Sequence, residues 1–201
     1  MIRLLLAEDQ ELLRSALATL LALEEDFEVV ASVSRGDEVI GAARQAQPDI
    51  ALLDIEMPGI DGLAAAAVLR QELPACQALI LTTFGRPGYL RRAMESGARG
   101  FVVKDAPIEQ LADAIRRVAA GERVVDPALA AATLAYGSSP LSARERDVLV
   151  AARLGATVSE IAGTLFLSEG TVRNYLSAAI AKTGTRNRAE AVRTAEEHGW
   201  L

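Results

Sequence analysis

Asp49-Ile50-Ala51-Leu52-Leu53-Asp54-Ile55-Glu56-Met57-Pro58-Gly59 is the stretch on which the fold turns. A short aliphatic run ends on an acid, and a Pro-Gly turn signal follows. Three more short aliphatic runs each end at a polar residue: Ile2–Ala7 before Glu8-Asp9, residues 78–81 before Thr82, and Gly100–Val103 before Lys104. Longer segments of helical period separate them, so the runs read as parallel strands in βα units. Parallel strands point one way, and residues just past their carboxyl ends converge on one crevice. Glu8, Asp9, Asp54, Thr82 and Lys104 are therefore expected to meet. Three carboxylates there repel unless a cation sits among them, and a hard divalent ion such as Mg²⁺ suits carboxylates plus a phosphate. Lysine is scarce: Lys104 and Lys182 are the only two among 21 basic residues. A compact point charge at 104 suits a phosphoryl oxygen.

Working outward, the pattern is strand then helix, five times over, to about residue 120. Helices are predicted near 10–23, 35–45, 61–72, 86–96 and 108–120, with a second strand near 28–33. Pro48, Pro74, Gly97 and Gly121 fall where helices should stop. Five parallel strands with helices on both faces predict a flavodoxin-like, doubly wound α/β domain over 1–120. Residues 121–140 break the pattern as a linker, with a short helix over 127–135 and a joint at Gly137-Ser138-Ser139-Pro140. Beyond it the strand signals vanish, and 141–201 reads as an all-α domain with helices near 142–154, 158–165, 169–182 and 188–197.

Charge divides the same way. The net charge is −6, but residues 140–201 hold eight basic and seven acidic groups, leaving thirteen and twenty to the first 139. The second part, at net +1, is neutral enough to approach DNA. One cysteine, Cys76, excludes an intramolecular disulfide framework and fits a reducing compartment. One histidine, His198, argues against a histidine metal centre or a Ser-His-Asp triad. No run of roughly 20 apolar residues exists to span a membrane, and the apolar start ends at Glu8, too soon for a signal peptide. The expectation is a cytoplasmic protein with no membrane partner.

The helices near 158–165 and 169–182 form a helix-turn-helix pattern, with Thr157 and Ser168 suited to N-cap them. Val172, Leu176, Ala179 and Ile180 share one face of the second, with Tyr175 at its edge. The opposite face offers Gly170, Arg173, Asn174 and Ser177 to a major groove, where Arg can pair with guanine and Asn with adenine. Lys182, Arg186 and Arg188, at or past its end, are expected on phosphates. A net +1 gives one copy little electrostatic affinity, so dimerisation on paired half-sites is the natural remedy. Cys76 reads as an ordinary buried thiol, and His198 and Trp200 as packing or dangling beside the last helix. The stripes Leu13, Ala16, Leu17, Leu20 and Ile108, Leu111, Ala112, Ile115 read as core faces first.

These residues resemble a known family. Residues 1–120, through Glu8-Asp9, Leu53–Gly59, Leu81-Thr82-Thr83 and Phe101 to Lys104-Asp105, resemble the receiver domain of two-component response regulators. Leu141–Leu149, Glu160-Ile161-Ala162 and Gly170-Thr171-Val172-Arg173 resemble the LuxR-type helix-turn-helix, in the order of NarL/FixJ regulators. The phrases Ala7–Gln10, Thr82–Tyr89 and Val172–Tyr175 also look like the DesR subgroup, associated with membrane-lipid fluidity. The resemblance implies a transcriptional regulator, not an enzyme beyond its own phosphoryl transfer and slow autodephosphorylation. A sensor histidine kinase would phosphorylate Asp54 with Mg²⁺ held by Asp9, Asp54 and the Glu56 carbonyl, and by Glu8 through water. Lys104 and Thr82 would hold phosphoryl oxygens while Phe101 moves inward. Dimerisation would follow, and Thr171, Arg173, Asn174, Ser177, Lys182, Arg186 and Arg188 would meet double-stranded promoter DNA, with RNA polymerase a further candidate partner. Two positions depart from the frequent pattern: Phe stands for Tyr at 101, and Tyr for His at 175. Two rivals remain at this point. A haloacid dehalogenase-like phosphohydrolase also uses an aspartate nucleophile and Mg²⁺, but after its first strand and with a second Asp two residues on. A regulator with an unused receiver would bind promoters equally well as Asp54→Asn.

Overall fold

The computed structural model describes residues 1–83, 87–127, 129–131, 139–153 and 155–201. The chain divides into two compact units, Met1–Gly85 with Leu90–Ala130, and Arg86–Tyr89 with Ala131–Leu201.

In the first unit the elements alternate. They run β1 (Ile2–Ala7), α1 (Glu11–Leu21), β2 (Phe27–Val33), α2 (Val39–Ala46), β3 (Ile50–Asp54), α3 (Gly62–Glu72), β4 (Gln77–Thr82), α4 (Pro87–Ser96), β5 (Gly100–Val103), α5 (Ile108–Ala119) and β6 (Val124–Val125). All neighbouring strands pair in parallel, in the order β2-β1-β3-β4-β5-β6. The doubly wound fold matches the expectation, with one correction. The sheet has a sixth strand inside the segment expected to be linker. Two residues are too few to carry a period-2 signal, so β6 depends on the β5 edge that it extends. The helix expected from 35 also differs: it opens as a 3-10 turn, Gly36–Glu38, before α2.

Period-2 alternation explains the layers. Leu4, Leu6, Ile50, Leu52, Leu79 and Leu81 pack with Leu111, Ile115 and Val118 of α5 in one core. The intervening Leu5, Ala51, Leu53 and Ile80 are also fully or almost fully buried, so the sheet is covered on both faces. At about 1.5–3 kcal/mol per buried aliphatic side chain, this double burial dominates the stability of the unit. Glycine ends two helices as expected, with Gly97 at φ 96° and Gly121 at φ 88°. Cys76 is a buried free thiol, which burial pushes up to about 12.

The second unit holds α6 (Ala143–Ala152), α7 (Val158–Leu165), α8 (Glu169–Thr183) and α9 (Arg188–Glu197). Side chains cap all four starts: Ser142 and Thr157 in capping boxes with Glu145 and Glu160, then Ser168 and Asn187. Val148, Leu149, Ile161, Val172, Leu176, Ala179 and Val192 form the core. His198 stacks on Trp200 with ring centroids 4.7 Å apart, and Trp200 packs against that core as expected. The connecting helix expected over 127–135 is helical at 127 and 129–131. Its remainder, residues Gly137 and Ser138 of the joint, Leu154, and Phe84-Gly85-Arg86 lie outside the described residues.

The ends of α7 and α8 differ instructively. Both close with a six-to-one backbone bond, Leu167 N–H to the Ala162 carbonyl (2.9 Å) and Thr185 N–H to the Ile180 carbonyl (3.2 Å). The left-handed residue is Gly184 after α8 but Phe166 after α7, at φ 54°. A non-glycine there costs about 1–2 kcal/mol, and Gly163 inside α7 costs about 1 kcal/mol relative to Ala.

Glu145 is buried and takes both the Ser142 N–H (2.7 Å) and Lys182 Nζ (2.7 Å) on one oxygen. Burial alone would raise its carboxyl, but Lys182 and Ser142 outweigh burial and hold it below the ordinary 4.5. A depressed carboxyl stabilises the fold above its unfolded pKa and loses that contribution as pH falls through the folded value. We predict that Glu145→Gln costs roughly 1 kcal/mol at neutral pH, allowing for screening at the half-exposed Lys182. Urea unfolding should also show less acid destabilisation below about pH 4.5 in the variant; equal acid sensitivity would contradict this.

Candidate functional site

Register brings the acidic residues together. Ala7 pairs with Leu53, so Glu8 and Asp54 follow side by side. Thr82 pairs with Val103, and the Lys104 N–H continues that ladder to the Thr82 carbonyl at 2.7 Å. Strand order reverses between β1 and β3, which is where an open α/β sheet leaves its crevice. Pleat parity sorts the side chains: Glu8 and Asp54 continue the series of Leu6 and Leu52, and Lys104 continues that of Val102. Thr82 belongs to the opposite series, and it is buried too.

The result is a compact charged cluster. Lys104 Nζ lies 2.7 Å from Glu8 Oε2 and 3.0 Å from Asp54 Oδ1, with all three side chains at most 7% exposed. Glu8, Asp9 and Asp54 each offer an oxygen within 4.8 Å of the others. Burial raises the Glu8 carboxyl; the Lys104 contact opposes this and the Asp54 charge adds to it. Burial also pulls the Lys104 ammonium down, but Glu8 and Asp54 outweigh it and leave it raised. Three carboxylates against one ammonium leave two formal negative charges. Glu8 Oε2 is fully buried, and the Lys104 ammonium at 2.7 Å is the partner it has there. Three hard carboxylates within 4.8 Å of one another, with two of their charges uncompensated, fit a small divalent cation. The Glu56 side chain is exposed and lies outside the cluster, so only its carbonyl is left as a donor. Phe101, on β5, is buried.

Two positions that sequence reasoning passed over shape this cluster. Arg14 Nη1 donates to the Glu8 carbonyl at 2.7 Å and pins the β1–α1 loop. A Cβ at Gly62 would lie 1.9 Å from the Asp54 carbonyl oxygen, so only glycine lets α3 start against the acid. The Asp61-Gly62 turn dipeptide was the available signal for Gly62; Arg14 had none.

On α8, Val172, Leu176 and Ala179 are buried while Gly170, Arg173, Asn174 and Ser177 are exposed, the faces expected. Thr171 is half-buried, with its N–H and hydroxyl on Ser168 Oγ. The four candidate cations all hold acceptors within the chain. Arg173 Nη2 is 2.6 Å from Glu169 Oε2, Lys182 is on Glu145, Arg186 Nη2 is 2.9 Å from Glu190, and Arg188 donates to the Ala156 carbonyl at 2.7 Å. Glu169 to Arg173 and Arg186 to Glu190 are i,i+4 pairs legible in the sequence; the two longer-range contacts are not.

The model of the response regulator receiver domain matches residues 4–116, and that of the bacterial regulatory proteins of the luxR family matches residues 139–195. The chain belongs to the LuxR-type response regulators. It is a DNA-binding regulator of the two-component class. It is 45% identical over 201 residues to the uncharacterized transcriptional regulatory protein YvfU of Bacillus subtilis, covering 100% of both chains. It is 44% identical to the transcriptional regulatory protein DesR of the same organism, again covering 100% of both. The crystal structure of the response regulator ChrA, of a heme-sensing two-component system, matches with a TM-score of 0.58 and 33% identity. That match covers 100% of this chain and 98% of the other.

The charge imbalance makes a prediction about this response regulator. Asp9→Asn should raise the stability of chelator-treated protein by about 0.5–1 kcal/mol, by relieving one half-screened repulsion. Divalent cation should erase the difference, and a thermal scan with and without Mg²⁺ reads both. A variant no more stable than wild type in chelator would show that the carboxylates do not strain the fold.

Proposed function

We propose that the chain is a phosphorylation-activated transcriptional regulator, with Asp54 as phosphoacceptor. The observation that carries this reading is Lys104 Nζ standing 3.0 Å from Asp54 Oδ1 at the switch point of the sheet. A sensor histidine kinase supplies the phosphoryl group: an Asp54 oxygen attacks phosphorus, and the P–N bond to the kinase histidine breaks. Asp9, Asp54 and the Glu56 carbonyl would hold Mg²⁺, with Glu8 acting through water. The ion supplies positive charge against the phosphoryl oxygens. Lys104 exchanges its carboxylate contact for a phosphoryl oxygen, and the Thr82 hydroxyl takes another. A phosphoryl group adds about −1.5 to −2 charges and three acceptors, enough to bias a loop with two arrangements. Phe101, on the strand between Thr82 and β6, relays that shift.

Dimerisation on phosphorylation completes the proposal. Each copy brings only net +1 in residues 140–201, and its candidate DNA cations are already engaged. Two copies on paired half-sites double the contacts and together bring net +2. Exposed Leu12 and Leu20 on α1 offer apolar surface for pairing. Arg173 and Asn174 read bases, with Thr171 and Ser177 beside them, while Lys182, Arg186 and Arg188 exchange internal acceptors for phosphates. The protein works in the cytoplasm, and RNA polymerase is the partner through which bound protein alters transcription. The regulator names of YvfU and DesR support this reading over a phosphohydrolase. So does the place of Asp54, which ends the third strand rather than the first.

Two variants test it. Lys104→Ala should accept a phosphoryl group yet show a blunted rise in DNA affinity; a full response would remove its switching role. Arg173→Ala and Asn174→Ala should each cost about 1–3 kcal/mol on specific DNA and relax sequence preference. Equal losses on specific and random duplexes would show that these side chains do not read bases.

A further inference from the structure

A cavity of about 350 Å³ opens at the amino ends of β4, β5 and β6, the opposite edge of the receiver sheet from Asp54. The five-residue step from Gln77 to Thr82 along β4 sets it roughly 16 Å from the acidic cluster. Arg70 in the last turn of α3, Arg99 just before β5 and Arg123 just before β6 line it, and no Asp or Glu does. The surrounding domain is acidic, with thirteen basic and twenty acidic groups over the first 139 residues. Three cations around one hollow therefore run against the charge of the domain that carries them.

These arginines are positioned but not neutralised. Arg35, Arg44, Arg92, Arg116 and Arg117 of the same unit each hold a carboxylate, whereas Arg70, Arg99 and Arg123 hold none among the described residues. Gln77 orients Arg99. Its Nε2 donates to the Pro74 carbonyl at 2.9 Å, which turns its Oε1 to accept from Arg99 Nε at 3.2 Å. The Val124 N–H donates to the Arg99 carbonyl at 2.9 Å, so the pairing of β6 brings Arg123 beside Arg99. Arg70 lies across Gly97, where a Cβ would stand 2.2 Å from its Cδ.

Charge and shape name the ligand class. The carboxyl ends of α3 and α4 reach the same wall, and each offsets about half a unit of charge. Three guanidinium groups less that offset leave about two positive charges. Burial keeps Cys76, also in the wall, as the neutral thiol. A phosphomonoester carries about −1.5 to −2 charges and three acceptor oxygens, and the arginine fork matches such oxygens two at a time. A single carboxylate supplies half that charge. The volume falls at the lower end of small-molecule pockets, roughly 300–1,000 Å³. We infer that Arg70, Arg99 and Arg123 form a binding site for a small phosphomonoester, at the opposite edge of the sheet from Asp54. The ligand is held intact and noncovalently, so the site is a second anion input to the receiver, separate from phosphoryl transfer.

Inorganic phosphate and ribose 5-phosphate are titrated into the full chain at fixed ionic strength, with chelator present to remove divalent cations. Melting temperature and the NMR signal of the Arg99 Nε–H report binding, with ribose and acetate as controls. Both phosphates should saturate and raise the melting temperature, and neither control should. Arg70→Ala and Arg123→Ala, at exposed positions, should each weaken binding roughly tenfold. Arg99→Lys should do the same, since an ammonium lacks the fork. Asp54→Asn should bind both phosphates as wild type does. No saturation by about 10 mM of either phosphate, or unchanged affinity in all three arginine variants, overturns the inference. Equal binding of acetate overturns the phosphate assignment, and loss of binding in Asp54→Asn overturns the location. Each of these results leaves the phosphorylation reading as it stands.

Discussion

Like charges at the mouth of a parallel sheet impose the constraint that the rest of the structure answers. The register of β1 against β3 forces Glu8 and Asp54 into adjacency, and pleat parity turns both toward the same side. Neither carboxylate can escape to water, since both are buried. Lys104 relieves part of the repulsion from the end of β5, reaching both acids at once. It cannot relieve all of it. Under the proposed function a divalent cation would neutralise the residual formal charge of two units, and a phosphoryl group would then meet both cation and ammonium. The arrangement that crowds like charges in the resting receiver would thereby prepare it for its ligand. Removing the lysine would leave buried acids uncompensated, which is more damaging than never having built the pair.

The second unit manages charge in the opposite manner. Its four candidate DNA-contacting cations are all engaged: Arg173, Lys182 and Arg186 each hold a carboxylate, and Arg188 holds a carbonyl. Contact with phosphate must then exchange one partner for another, and the gain is a difference rather than a whole interaction. Under the proposed function, affinity comes from doubling the contacts, and oligomeric state is the lever that the receiver pulls.

Much of this was legible in the sequence. The strand ends, the acids beyond them and the capping residues Thr157 and Ser168 follow from local pattern and short-range chemistry. β6 was hidden because Val124-Val125 has no period of its own and exists through pairing with Gly100 and Phe101. Lys182 was expected on phosphate because it follows the reading face, while its bond to Glu145 spans 37 positions and arises from helix packing. Arg14 was silent for the same reason: its acceptor is a backbone carbonyl, which no side-chain pattern announces. Local rules reached the elements and the converging acids; contacts set by packing between elements stayed out of reach.

The central claim is that Asp54 takes a phosphoryl group and that this changes how copies associate. The most direct measurement incubates wild type and Asp54→Asn with Mg²⁺ and a small phosphodonor, then records intact mass and elution volume. Wild type should carry one phosphoryl adduct and shift toward dimer, and the variant should show neither. An equal adduct on Asp54→Asn, or a phosphorylated wild type that elutes unchanged, would contradict it.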